Sequence, residues 1–118
     1  MAEVNETNFV ELNGVQGKRM LAKLEETTPR LHRYLCEVLG DDLYKDETIS
    51  LKTRLLCVIS AITAQGGLEN PLKFYLKTAR KHGVTKAEVV AVIETVAVYA
   101  GTPKAIGALF AVKEIFVD

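Results

Sequence analysis

A chain of 118 residues supports one hydrophobic core and is too short for two. Its 15 basic and 15 acidic residues cancel, and no basic run or aromatic–basic alternation directs it to nucleic acid or an anionic membrane. Glu94, Thr95, Gly101 and Pro103 break the apolar runs well short of the ~20 residues a membrane span needs, and two cysteines inside expected helices imply no disulfide framework.

The opening MAEVNETNFVELNG is acidic and polar, unlike a signal peptide, so a cytoplasmic protein is expected. NFVELNGVQGKRMLAKLEE predicts a helix that Gly14 and Gly17 weaken by roughly 1 kcal/mol each relative to alanine. TPRLHRYLCEVLG predicts a second, with Thr28 as cap and Pro29 in its first turn. Leu31, Tyr34, Leu35, Val38 and Leu39 form its apolar face. DDLYKDETI reads as a connector.

The second half is punctuated more sharply. Ser50 caps SLKTRLLCVISAITAQGG, which Gly66 and Gly67 close, with Leu51, Leu55, Val58, Ile59 and Ile62 at helical spacing. ENPLKFYLKTARKHG comes next, with Pro71 early and Arg80, Lys81 and His82 set against its own negative end before Gly83. Thr85 and Glu88 have capping-box spacing and open a helix running to about Ala100. Gly101 stops it, Thr102 caps the next, and Pro103 takes the first turn. No segment alternates convincingly with a period of two, so an all-α protein is expected.

The helices over 86–100 and 102–115 are apolar on nearly every side. A helix apolar all round must be buried all round, and a chain of this length cannot wrap two. Obligate oligomer interfaces resemble a core cut in half, so self-association is expected.

SLKTRLLCVISAITAQGG followed by LKFYLKTARKHGVTKAEVVAVIETVAVYAGTPKAIGALFAVKEIF resembles the carboxymuconolactone decarboxylase family. The carrying pieces are the L-K-T-R helix start, the G-V-T-K-x-E turn and A-V-Y-A-G-x-P-x-A. The resemblance covers residues 49–117, and the pattern from Pro29 to Tyr44 extends it. It implies an all-α alkylhydroperoxidase D-like fold of about six helices in a single domain over 1–118. N-terminal helices would span 1–48 and core helices 49–118, the protomers intertwining as a trimer or hexamer. It also implies no cofactor.

The peroxidase branch of that superfamily uses C-x-x-C-x-x-x-H with a glutamate on the preceding helix. By position these fall on Leu68, Pro71, Tyr75 and Leu55, so the resemblance implies no thiol pair here. The decarboxylase branch needs a proton carrier and anion stabilisation. Its histidine falls on Tyr75, which becomes the proton-donor candidate; Ala91 and Thr95 stand where many members carry Glu and His or Gln. The expected activity is decarboxylation or binding of a small carboxylated or lactone-like acid. A non-catalytic oligomer on the same fold is the alternative, and a peroxidase acting through Cys57 the second alternative.

Residue chemistry adds further candidates. Glu94, an acid within an apolar helix, is a second proton-donor candidate. Arg54 has the fork to hold a substrate carboxylate, and Thr95 sits beside Glu94. Gln65, Thr95 and Tyr99 are further substrate-binding candidates, with Tyr99 expected foremost as a buried ring with a hydrogen-bonded hydroxyl. Gln65 and Glu69 flank the glycine break, where a pocket mouth is expected. His32 and Cys36 stand at i, i+4, and Cys57 and His82 would complete a Cys₂His₂ set. Cys57 lies mid-helix and His82 at a helix end, however, and no zinc spacing is present; no metal is expected.

Overall fold

Ser50 accepts the Thr53 N–H at 3.1 Å, and the helix it caps, α3 (Leu51–Gln65), runs to Gly66. In this computed structural model, which describes residues 3–117, six α-helices form and, among the described residues, there is no strand. The others are α1 (Thr7–Thr27), α2 (Pro29–Tyr34), α4 (Glu69–Lys81), α5 (Lys86–Ala100) and α6 (Thr102–Ile115). This is the all-α class expected. The chain divides into two compact units, one ending at Ile49 and one beginning at Ser50.

In the first unit, Gly14 kinks α1: its φ of 71° and ψ of −154° interrupt the helical backbone, a conformation open to glycine. Gly17 is buried instead of merely weakening the helix, since a Cβ there would lie 2.6 Å from that of Asn13. Thr28 caps α2 as expected, accepting from the Leu31 N–H. The expected connector is itself partly helical. Leu35–Asp42 continue from α2 as a π-helix and Leu43–Lys45 as a 3₁₀ turn. The buried face is also not the leucine-rich one: Leu31, Tyr34 and Val38 are exposed, while His32, Cys36 and Gly40 are buried. Gly40 decides that register. A Cβ there would lie 3.0 Å from the Phe9 backbone nitrogen, so α1 and the π segment meet backbone to backbone.

In the second unit, α3 packs on α4 and α5, and α6 lies against α3, α4 and α5. Leu55, Ile59, Leu72, Leu76, Val89 and Ile93 are fully or almost fully buried. Thr85 and Glu88 make the reciprocal capping box, and the Glu88 carboxylate also meets the Lys52 ammonium at 2.9 Å, joining the starts of α3 and α5. Arg80 corrects an expectation. Its guanidinium donates to the Ile115 and Val117 carbonyls at 2.6 and 3.3 Å, so it caps the end of α6 rather than that of its own helix. Lys73 pairs with Glu114 at 2.7 Å along the same two helices. The cap of α6 is Gly101, not Thr102. Gly101 already holds the non-helical backbone a cap requires (φ 113°, ψ 135°), so Thr102 enters the helix as its first residue.

The paired apolar helices resolve unevenly. Helix α6 buries Ala105, Ala108, Ala111 and Val112, while Ile106 and Phe110 face outward. Helix α5 buries Val89, Ile93 and Val96 and leaves Val98 and Tyr99 out. Among the described residues, no helix is long and apolar enough to cross a membrane.

Candidate functional site

The break between α3 and α4 opens a cleft of about 310 Å³ in the second unit. Gly66 and Gly67 turn the chain with φ of +75° and +71°. The cleft is lined by Thr63, by Leu68 and Glu69, and by Pro103, Lys104 and Gly107. It therefore meets the first turns of α4 and α6. Neither helix start carries a side-chain cap. Uncapped first-turn N–H groups and the positive helix end favour an anion.

Two side chains sharpen this. Thr63 is buried, and its Oγ1 makes no hydrogen bond within the protein. Such a group costs about 1–3 kcal/mol when left unsatisfied. Lys104 lays its stem against Gly66 and donates from Nζ to the Ala64 carbonyl at 3.0 Å, fixing an ammonium at the cleft. Glu69 adds a carboxylate to the lining. The cleft residues thus include an ammonium, a hydroxyl and a carboxylate.

The residues singled out from the sequence are distributed more widely. Tyr75 is half-buried on α4, its ring edge-on to Phe74 at 5.2 Å; burial raises the phenol above its ordinary pKa, so it stays protonated. Neither Tyr75 nor Arg54, half-buried in the first turn of α3, lines the cleft. Gln65 turns back to donate to the Ala61 carbonyl at 3.5 Å. Glu94 is exposed. Tyr99 is 86% exposed in the protomer, not the buried ring expected: α5 turns its Val89–Ile93–Val96 stripe inward, and Tyr99 falls outside it. Thr95 donates to the Ala91 carbonyl at 3.0 Å and lines a second, apolar groove of about 420 Å³ with Thr53, Leu56, Cys57, Ser60 and Val92. Cys57 is exposed in that groove. Thr63 and Lys104 carry no sequence signal, because their meeting depends on α6 lying against the end of α3.

In the first unit, His32 is buried, and its Nε2 stands 2.6 Å from Oε2 of Glu6 and 3.8 Å from Oε2 of Glu25. Cys36 lies one turn on, and one ligand atom from each of Glu6, His32 and Cys36 falls within 4.8 Å of the others. Burial, then the charges of Glu6, Asp41, Glu37 and Glu25, push the Cys36 thiol up to about 11. Glu6 escapes sequence reasoning because 26 positions separate it from His32.

Comparison with known proteins agrees with the helical pattern. A protein from Paracoccus denitrificans, described as an uncharacterized 15.0 kDa protein in the nqo9-nqo10 intergenic region, is 29% identical over 96 residues, covering 80% of this chain and 72% of the relative. The family model for the carboxymuconolactone decarboxylase family matches residues 29–114, which take in α2 through α5, nearly all of α6 and the whole of the cleft. On that match the chain belongs to the carboxymuconolactone decarboxylase family.

Proposed function

We propose that this family member binds a small carboxylated or lactone-like organic acid in the Gly66–Gly67 cleft and acts as a homo-oligomer, a trimer or hexamer. The observation carrying the first part is the unpartnered, buried Thr63 hydroxyl beside Lys104 and two uncapped helix starts. In this reading Lys104 and the first turn of α6 take the carboxylate, Thr63 bonds a second oxygen, and Glu69 exchanges a proton with the bound acid. Loss of CO₂ would leave an anion, which the same positive ends stabilise. Burial keeps Tyr75 a phenol, suited to a donor rather than a base, but it stands outside the cleft lining, so Glu69 carries the proton in this reading.

Calorimetric titration with 4-carboxymuconolactone and related dicarboxylic acids, alongside the ultraviolet decay of the lactone, tests the reading. Lys104→Met and Thr63→Val are each expected to weaken binding roughly tenfold, the loss of one charge-assisted or buried hydrogen bond. Tyr75→Phe is expected to leave affinity within about twofold; a fall in turnover at unchanged affinity would make its phenol the proton donor. Wild type that binds none of these acids would favour the alternative of a non-catalytic oligomer, which the apolar residues Leu55, Leu68 and Pro71 at the peroxidase positions also suit.

The oligomer reading is supported by the outward Val98, Tyr99, Ile106 and Phe110 on α5 and α6. Large apolar side chains grouped on two adjoining helices mark an interaction surface.

A further inference from the structure

A buried imidazole, a buried thiol and a carboxylate converge in the first unit, on residues that take no part in the cleft and independently of any reading of it. His32 and Cys36 come from successive turns of α2 and the π segment, and Glu6 is the residue just before α1. Glu25, from the last turn of the same helix, brings a second carboxylate to 3.8 Å from the imidazole nitrogen. We propose that Glu6, His32 and Cys36 bind a divalent transition-metal ion of the zinc type, with Glu25 as fourth ligand, tying both ends of α1 to α2 and the π segment.

The donor set selects the class of ion. Calcium and magnesium take oxygen ligands. One sulfur, one nitrogen and two carboxylate oxygens suit zinc and its cobalt substitute, usually four-coordinate and tetrahedral. The scale also fits. Ligand atoms about 2.0–2.3 Å from a tetrahedral ion stand roughly 3.3–3.7 Å apart, and the three atoms here already lie within 4.8 Å. The Glu6–His32 hydrogen bond of 2.6 Å must open by roughly 0.7 Å to admit the ion. Glu6 can give that distance: its side chain is about one-third exposed, on the residue before the helix. It also lines an open groove with Glu3, Asn5, Glu11 and Lys18, so its carboxylate is reachable from solvent.

A coordinated ion would offset the carboxylate charge that Glu6 and Glu25 bring to the buried His32 and Cys36 side chains. Cys57 and His82, the other two members of the Cys₂His₂ set weighed from the sequence, belong to the second unit.

The test is titration of the chelator-treated, full-length chain with Co²⁺. The expected result is a one-to-one complex with a thiolate-to-cobalt charge-transfer band and strong visible bands of a tetrahedral site, both displaced by Zn²⁺. Cys36→Ser should abolish the charge-transfer band, and Cys57→Ser should leave it unchanged. Glu6→Gln, which keeps an acceptor for His32, should raise the cobalt Kd at least roughly tenfold. A folded wild type without the band, or a band lost in Cys57→Ser instead, overturns the proposal. Should Cys36→Ser fail to fold, Glu6→Gln decides: a Kd equal to wild type overturns the proposal, and a weakened one supports it.

Discussion

Gly66 and Gly67 share nearly the same φ, yet a methyl group would meet different surroundings at the two. At Gly66 a Cβ would stand 3.0 Å from Cγ of Lys104, whose ammonium is tied to the Ala64 carbonyl; at Gly67 it would meet open space. Backbone strain at positive φ costs either alanine about 1–2 kcal/mol. Gly66→Ala must also displace the lysine stem, and its φ and ψ of 75° and 152° lie in a region reserved to glycine. Gly66→Ala is therefore expected to cost at least about 1 kcal/mol more than Gly67→Ala in denaturant unfolding. Equal midpoints would mean that the Lys104 stem yields freely and that the cleft wall is soft.

At the scale of elements, an ion pair joins the starts of α3 and α5. The Thr85 backbone N–H and then the Lys52 ammonium hold the Glu88 carboxyl down at about 2, from an ordinary 4.5. A carboxyl lowered in the folded state binds its proton more readily in the unfolded one. Its stabilisation is thus complete above about pH 4.5 and is lost as pH falls towards 2. Glu88→Gln should lower Tm at pH 7, and the gap from wild type should close between those two pH values. A gap of constant size down to pH 2 would assign the loss to packing.

The capping box is legible because it is written within four consecutive residues, as are the caps at Thr28 and Ser50. The face of residues 29–42 is not. A 3.6-residue period puts Leu31, Leu35 and Val38 inward. The π-helical turn and the bare Gly40 against the Phe9 backbone turn His32 and Cys36 inward instead. The same division holds for the two sites. The glycine break announces a pocket mouth, while Glu6 and Lys104 acquire roles only through residues 26 and 40 positions away, and Thr63 only through the placement of α6.

For the whole molecule, α5 and α6 present apolar surface through particular side chains. Phe110 is 69% exposed and Val98 77%. Phe110→Lys places a charge in this surface without touching the buried alanine stripe of α6. Light scattering is expected to give a multiple of the chain mass for wild type and a smaller species for the variant, with unchanged helical circular dichroism. A wild type with the mass of one chain would refute the oligomer reading.

Helix α6 also reverses the usual map of mutational tolerance. Small residues are normally the forgiving positions and large aromatic ones the constrained. Here Ala105, Ala108 and Ala111 sit against neighbouring helices at 2–4% exposure, where an added methylene or two costs about 1–3 kcal/mol. Phe110 and Ile106 face away from that stripe, so within one protomer their size is unconstrained. As sequences drift, the alanines are held by the fold itself, and in the proposed oligomer the large residues would be held by the facing copy alone. Such a surface would change its specificity while the helix beneath it stays the same.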